Sequence, residues 1–202
     1  MDSTMNSMND HKSHIKKTIA ASIAVKQLLM EDEHLNRTIE SVVNAVTTAF
    51  TTGNKVLFCG NGGSASDAQH LAAEFSGRFY KDRKALPSEA LHCNTSYMTA
   101  VANDYSYDVI YSRIVEGTMH KGDVLIGLST SGNSKNIINA FKSAKELGVI
   151  TIAFTGETGG EMKTYSDFLI NVPSRDTPRI QESHIMIGHI ICELTEENLF
   201  GK

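Results

Sequence analysis

The sequence predicts an α/β fold: a three-layer sandwich around a central parallel sheet of five strands. Short, continuous apolar segments alternate along the chain with amphipathic helical patterns, which is typical of parallel strands covered by helices on both faces. Two of the predicted strands run directly into turns rich in glycine or in hydroxyl side chains. Because ligands of such sheets bind beyond the carboxyl ends of the strands, the pattern also predicts where the functional site lies.

Residues 1–52 predict a helical extension that precedes the sheet. Apolar residues recur there at spacings of three and four, which indicates amphipathic helices from about residue 15 onward. The charged segment 31–34 is expected to divide this stretch into two helices, and Gly53 to end the second. The apolar positions are Ile15, Ile19 and Ile23, followed by Leu35, Ile39, Val42, Val43 and Val46.

The rest of the chain predicts alternating strands and helices. Strands are expected at 55–59, 89–93, 123–129, 149–156 and 168–173, the second being the weakest. Helices are expected at 64–76, 95–103, 134–148 and 178–199, with Pro178 in the first turn of the last one. Only three prolines occur and no low-complexity linker interrupts the chain. Residues 1–202 are therefore expected to form one domain.

Charge and hydropathy argue against nucleic-acid and membrane partners. The formal net charge of −4 gives no general attraction to nucleic acid, and the short basic cluster of Lys81, Arg83 and Lys84 is expected to be a solvated loop. No apolar segment approaches the roughly 18 residues that a membrane span needs. The polar residues 1–14 lack the apolar core of a signal peptide.

The cysteines point to a reducing compartment. Cys59, Cys93 and Cys192 are far apart in the sequence and lie in apolar surroundings. They are expected to be reduced core residues rather than disulfides or a metal site. A cytoplasmic location is the default expectation.

The segment LSTSGNS, residues 128–134, predicts a phosphate site. The hydroxyls of Ser129, Thr130 and Ser131 follow a predicted buried strand, and Ser134 lies where the next helix begins. Free N–H groups at a helix N-terminus attract anions, and hydroxyls add neutral donors. The segment lacks the Gly-Lys-Ser/Thr ending of a P-loop, so a nucleoside triphosphate is not expected.

The segment GNGGS, residues 60–64, is a second turn of the same kind, one strand earlier in the predicted sheet. Its glycines permit positive φ and a close approach of a ligand to the backbone. A dinucleotide fingerprint would need glycine at position 65, where the chain has Ala65. A Rossmann site is therefore not expected.

His70 and Glu74 lie one turn apart on the helix that follows the glycine turn. An i, i+4 spacing offsets them by about 40° around the axis, so both can meet one ion or one substrate carbon. Spacing alone is more often that of a surface His–Glu pair. Their position directly after the glycine turn favours a functional role.

The predicted last helix carries further polar candidates among its isoleucines. Gln181, His184 and His189 all need partners if this nearly all-apolar helix is buried. Spacing does not decide among them, and one hydrogen-bonded core histidine is the ordinary expectation.

Four segments together resemble the phosphoheptose isomerase family of the sugar-isomerase (SIS) domain superfamily. They are GNGGSASDAQHLAAEFSGRF, ANDY at 102–105, LSTSGNS, and RIQESHIMIGH at 179–189. The resemblance extends over about residues 12–197, with the segments in the family's order. It implies the SIS fold.

The resemblance also implies a substrate and the residues that bind it. Members convert D-sedoheptulose 7-phosphate to D-glycero-D-manno-heptose 7-phosphate through an enediol, as the first step of ADP- or GDP-heptose biosynthesis for lipopolysaccharide or capsule. By this resemblance the sugar is bound by the glycine turn and the ANDY segment, and the phosphate by the hydroxyl turn. The implied substrate-binding residues are Asn61, Gly62, Gly63, Ser64, Glu74, Asn103, Asp104, Ser129, Thr130, Ser131, Ser134 and Gln181.

A metal site and an assembly are implied in the same way. One Zn²⁺ per subunit would be held by His70, Glu74, Gln181 and His189, and catalysis would fall to Glu74 and His189. A homotetramer is also implied. The alternative is a non-catalytic SIS protein resembling the replication-initiator-associating protein, and the presence of Glu74 argues against it.

Overall fold

The structure, a computed structural model, describes the backbone of residues 2–201 and the side chains of residues 10–201. Seven α-helices and five β-strands alternate along this part of the chain. The helices are α1 Asp2–Glu31, α2 Glu33–Thr51, α3 Gly63–Ser76, α4 Thr95–Asp104, α5 Ile110–Thr118, α6 Lys135–Glu146 and α7 Thr177–Phe200. The strands are β1 Val56–Gly60, β2 Ser88–Ala90, β3 Val124–Leu128, β4 Ile150–Thr155 and β5 Phe168–Asn171.

All five strands are parallel, in the order β2-β1-β3-β4-β5. The predicted α/β class and its five-stranded parallel sheet are confirmed. The central pair, β1 and β3, aligns Gly60 with Leu128. The turns that follow these two residues therefore start at the same level of the same sheet edge.

Two apolar cores lie on opposite faces of the sheet. Because successive strand residues point to opposite faces, Phe58 packs with α2, α3 and α7, whereas its neighbour Leu57 packs with α5 and α6. The helices thus form one layer on each face, as the three-layer sandwich predicts. Continuous burial of β1 and β3 explains why these strands lack a polar alternation.

The helical extension divides where its charges indicate. Asp32 separates α1 from α2, and its carboxylate accepts hydrogen bonds from the backbone N–H groups of His34 and Leu35. This is an N-cap, which satisfies donors that an α-helix leaves free at its start. Within residues 2–201, none of the helices is both long enough and apolar enough to cross a bilayer.

Three local expectations were wrong. Residues 107–118, to which no element was assigned, form a 3₁₀ turn and α5; its nine residues start without a side-chain cap, so the sequence signal is weak. Cys93 is exposed rather than in the core, although Cys59 and Cys192 are buried. Arg83 is not solvated, since its side chain is 2% exposed and pairs with the equally buried Glu196.

Candidate active site

The glycine turn joins β1 to α3 through a conformation that needs glycine. Gly62, the residue before α3, has φ 57° and ψ −122°, a region that side chains avoid. Gly63 lies against α7, because a Cβ placed on it would come within 2.6 Å of Gln181 Nε2. The next residue, Ser64, is buried. The turn is thus a tight bend packed against the last helix.

Side chains from two other segments fix Asn61. Its amide exchanges two hydrogen bonds with Asn136, of 3.0 and 2.9 Å, and its Oδ1 also accepts a 2.9 Å bond from the Tyr107 hydroxyl. Asn136 lies in the first turn of α6, so the glycine turn is tied to the helix that follows the hydroxyl turn. Sequence reasoning missed Tyr107 and Asn136, because neither forms a local motif.

Asn103 and Asp104 lie at the exposed end of α4, where the Asn103 amide donates to the Asp104 carboxylate over 3.0 Å. Tyr107 follows three residues later and contacts Asn61. This contact brings the segment next to the glycine turn.

The hydroxyl turn presents its side chains at the start of α6. The Oγ atoms of Ser129 and Ser134 are 2.9 Å apart, and those of Ser129 and Ser131 are 3.5 Å apart. Ser134 is the N-cap residue of α6, yet its hydroxyl makes no cap hydrogen bond. The N–H groups of Lys135 and Asn136 therefore stay available to an anion, whereas the N–H of Ile137 donates to Asn136 Oδ1. Thr130 is half-buried at the same turn.

A His–Glu–His cluster lies between α3 and α7. Nε2 of His70 is 3.0 Å from Nε2 of His189 and 3.1 Å from Oε1 of Glu74. One ligand atom from each of the three residues lies within 4.8 Å of the others. Two imidazole nitrogens and one carboxylate oxygen are ordinary zinc donors. The donor set and its spacing therefore fit a divalent metal ion.

The close approach of α7 to α3 brings the two histidines together. A Cβ on Gly188 would lie 2.5 Å from the methyl carbons of Leu71, so a larger residue there would force Leu71 or α7 to shift. Leu71 follows His70, and Gly188 precedes His189. Gly188 thus positions the cluster although it offers no functional group, and the sequence carries no local signal of this role.

Gln181 lies apart from this cluster in the chain. Its side chain contacts Gly63, whereas His70 lies seven residues further along α3 and His189 eight residues further along α7. These separations correspond to roughly 10 and 12 Å of helix. The structure therefore groups three of the four predicted metal ligands and places the fourth at the glycine turn.

His184 is a buried core histidine. It is fully buried, and its Nε2 lies 3.0 Å from the Thr155 carbonyl oxygen. Because a carbonyl only accepts, Nε2 carries the proton. Burial lowers the pKa of His184 to about 4. It is therefore the histidine that fits the ordinary expectation for this helix, and it does not reach the cluster.

Arg83 and Glu196 brace the end of α3 next to Glu74. The Arg83 guanidinium donates 2.8 Å bonds to the carbonyls of Glu74 and Phe75 and to Glu196. Burial raises the pKa of Glu196. Hydrogen bonds from the backbone N–H groups of residues 79–81 and from Arg83 outweigh this effect and hold the pKa of Glu196 below its usual range. Because the Arg83 guanidinium donates to carbonyls at the end of α3 that no helix N–H reaches, it holds the backbone of Glu74 in place.

The family model described as the SIS domain matches residues 21–156. Phosphoheptose isomerases from Clostridium acetobutylicum and Aneurinibacillus thermoaerophilus are 55% and 53% identical to the chain; the alignments cover 95% and 96% of the chain and 97% and 96% of those proteins. The solved structure of a phosphoheptose isomerase from Neisseria gonorrhoeae superimposes with a TM-score of 0.87 at 39% identity, covering 92% of this chain and 98% of that one.

Proposed function

The chain belongs to the phosphoheptose isomerase family of SIS-domain proteins, and we propose that it converts D-sedoheptulose 7-phosphate to D-glycero-D-manno-heptose 7-phosphate. The observation that carries the chemistry is the cluster of His70, Glu74 and His189. His70 and Glu74 lie on α3, the helix that begins at the glycine turn, and His189 lies on α7. An acid–base group and a phosphate-binding turn together are what isomerisation of a sugar phosphate requires.

Glu74 is the proposed base. Ketose–aldose isomerisation moves a proton between C1 and C2 through an enediol, so one base must reach both carbons. The Glu74 side chain is 23% exposed, accessible from the site but anchored through its own carbonyl by Arg83. A carboxylate held in this way can serve adjacent carbons from one position.

His189 is the proposed proton shuttle for the oxygens. Its imidazole lies within the cluster, where it contacts His70 and packs against the Phe79 ring at 5.6 Å between centroids. An imidazole can both accept and donate a proton, which suits proton transfer in both directions. We assign it ring opening and exchange of the hydroxyl proton.

His70, Glu74 and His189 would hold one Zn²⁺ per subunit, with Gln181 as the proposed fourth ligand. When bound, the ion would polarise the substrate carbonyl and stabilise negative charge on its oxygens. A carboxylate bound to a cation would be a weaker base, so Glu74 would act as the base only while it is not bound to the ion. Gln181 must change its rotamer or come from a neighbouring subunit, because it contacts Gly63 in this chain.

The substrate would lie across both turns. We propose that Ser129, Thr130, Ser131 and Ser134 bind the phosphate together with the first N–H groups of α6. The sugar would contact Asn61, Gly62, Gly63, Ser64, Asn103, Asp104 and Gln181. The Asn61–Asn136 amide pair supports this assignment, because it holds the two turns at a fixed separation.

A non-catalytic SIS protein is not favoured. Such a protein has no need of the proposed base, yet Glu74 stands here beside two histidines. Its backbone is also braced by a buried ion pair. These features fit an enzyme.

We also propose a homotetramer in the cytoplasm. Ile15, Ile19 and Ile23 are 58%, 55% and 51% exposed on α1, which is unfavourable for a face left in water. Further apolar side chains line a cavity of about 410 Å³ where α1, α2 and α7 meet. Packing between subunits would cover both. A monodisperse monomer in light scattering at micromolar concentration would contradict the assembly.

Proton NMR of the purified protein with sedoheptulose 7-phosphate in D₂O tests the proposed reaction. The expected result is an aldose phosphate product with deuterium incorporated at C2. Product without deuterium would exclude an exchanging enediol base. No turnover by zinc-loaded protein would exclude the reaction itself.

A further inference from the structure

A cavity of about 310 Å³ adjoins the hydroxyl turn and extends well beyond it. Thr130 and Ser131 contribute one wall. Most of the remaining lining comes from the segments after β4 and β5 and from the start of α7, with further hydroxyls from Thr158, Ser174 and Thr177. The cavity is thus lined by more hydrogen-bonding groups than the hydroxyl turn alone supplies.

Two charged side chains, Arg175 and Glu157, line this cavity, and they pair with each other. Nε of Arg175 donates to the Glu157 carboxylate. Within residues 10–201, the structure gives the guanidinium no other hydrogen bond, so its two Nη groups keep their donors. The Arg175 side chain is 82% exposed and that of Glu157 is 36% exposed.

A carboxylate at this position needs an explanation. An unpaired Glu157 would repel a phosphate dianion bound at Thr130 and Ser131. Pairing with Arg175 cancels that charge. Because a guanidinium presents five N–H donors in a planar fork, Arg175 can keep Glu157 through Nε while its Nη groups bind an anion.

We propose that Arg175, which pairs with Glu157 through Nε and keeps its Nη donors free, is the counter-ion of the substrate phosphate. This inference rests on the proposed function, since it assumes that a phosphate monoester occupies the hydroxyl turn. The hydroxyls and the N–H groups of α6 are neutral donors. Arg175 adds the only full positive charge among the residues that line the cavity in the described part of the chain.

Opposite effects of two substitutions test the proposal. Arg175→Gln should raise both KM for sedoheptulose 7-phosphate and the inhibition constant of inorganic phosphate about tenfold, because a charge-assisted hydrogen bond is lost. Glu157→Gln should lower the same inhibition constant by about threefold, because one repelling charge is removed. In both variants kcat should stay within about twofold, since Arg175 and Glu157 take no part in the cluster.

Arg37→Gln provides the matched control. Arg37 is also an exposed arginine that pairs with a glutamate, Glu33, but on α2. It should leave KM and phosphate inhibition unchanged. At 0.5 M salt, the difference between wild type and Arg175→Gln should shrink, because exposed charges are screened.

The outcomes distinguish the proposed role of Arg175 from the proposed isomerase function on which it rests. If Ser131→Ala weakens phosphate inhibition while Arg175→Gln does not, the phosphate lies at the hydroxyl turn and the role of Arg175 is wrong. If Glu157→Gln weakens inhibition as Arg175→Gln does, the pair acts structurally and the counter-ion role is also wrong. If zinc-loaded wild-type protein has no isomerase activity, the proposed function fails and takes this inference with it.

Discussion

Nε2 of His70 and Nε2 of His189 face each other across 3.0 Å, although they lie 119 positions apart in the sequence. One neutral imidazole can donate to the other, but Glu74 Oε1 lies 3.1 Å from the same His70 nitrogen. Three donor atoms therefore converge, and their types and spacing fit a divalent cation.

His70→Ala is expected to abolish tight zinc binding. Wild-type protein reconstituted with zinc and dialysed should hold about one equivalent per chain by elemental analysis, because three donors converge. His34→Ala, which removes an exposed histidine on α2, is the control and should keep the full equivalent. Equal zinc content in wild type and His70→Ala would place the metal elsewhere.

Gly188→Ala is expected to weaken zinc binding by the cluster although it removes none of the cluster's donor atoms. The new methyl group would meet Leu71 at 2.5 Å, and overpacking of this kind typically costs about 1–3 kcal/mol. We expect a lower melting temperature together with weaker zinc binding, because Leu71, the neighbour of His70, or α7 itself must shift. Calorimetry and a zinc titration measure the two effects.

Gly117→Ala is the matched control for this variant. Gly117 lies in α5, and a Cβ there would meet nothing within 4 Å. Alanine should stabilise that helix by about 0.5–1 kcal/mol. If Gly188→Ala melts like wild type and binds zinc equally well, the close approach does not position His189.

The contrast between these glycines shows what a sequence can predict. The sheet and most helices follow from local periodicity, and both candidate ligand-binding turns follow from their position after buried strands. Gly188 has no local signal, because its role depends on Leu71 in a distant helix. Arg83 misleads for the same reason: in a basic loop segment it resembles a solvated residue, but its partner Glu196 lies more than 100 positions away.

Stability should fall between pH 6.5 and about 4 because of His184. Its pKa is lowered from 6.5 to about 4 by burial, so the folded state keeps it neutral while the unfolded state takes up a proton. The stabilisation is complete above pH 6.5 and is lost progressively as the pH falls towards 4. A difference of about 2.5 pKa units corresponds to about 3 kcal/mol.

Urea unfolding of metal-free wild type and His184→Gln at several pH values measures this effect. The variant should show a shallower loss of stability between pH 6.5 and 4.5. The pH dependence of stability that remains in the variant would include a contribution from His92, because burial lowers the pKa of His92 as well. Below about pH 4 both proteins should weaken alike, because Asp123, Asp167 and Glu196 have lowered pKa values and become protonated as the pH falls further. Identical slopes above pH 4.5 would contradict the buried neutral histidine.

Glu74→Gln is expected to lower kcat by at least about 10²-fold, the smaller end of the usual contribution of a general base. Glutamine keeps the size of the side chain and an oxygen donor but cannot accept a proton from carbon. The variant should still bind sedoheptulose 7-phosphate, and it should stop exchanging substrate protons with D₂O. Glu146→Gln, at the exposed end of α6, is the control and should keep full activity.

Zinc content separates the two roles of Glu74. Near-normal zinc with lost proton exchange identifies Glu74 as the base, whereas zinc lost in parallel with activity indicates that Glu74 is a ligand only. If Glu74→Gln keeps more than about a tenth of the wild-type kcat, far above what loss of a general base allows, Glu74 is not the base and the enediol assignment fails with it.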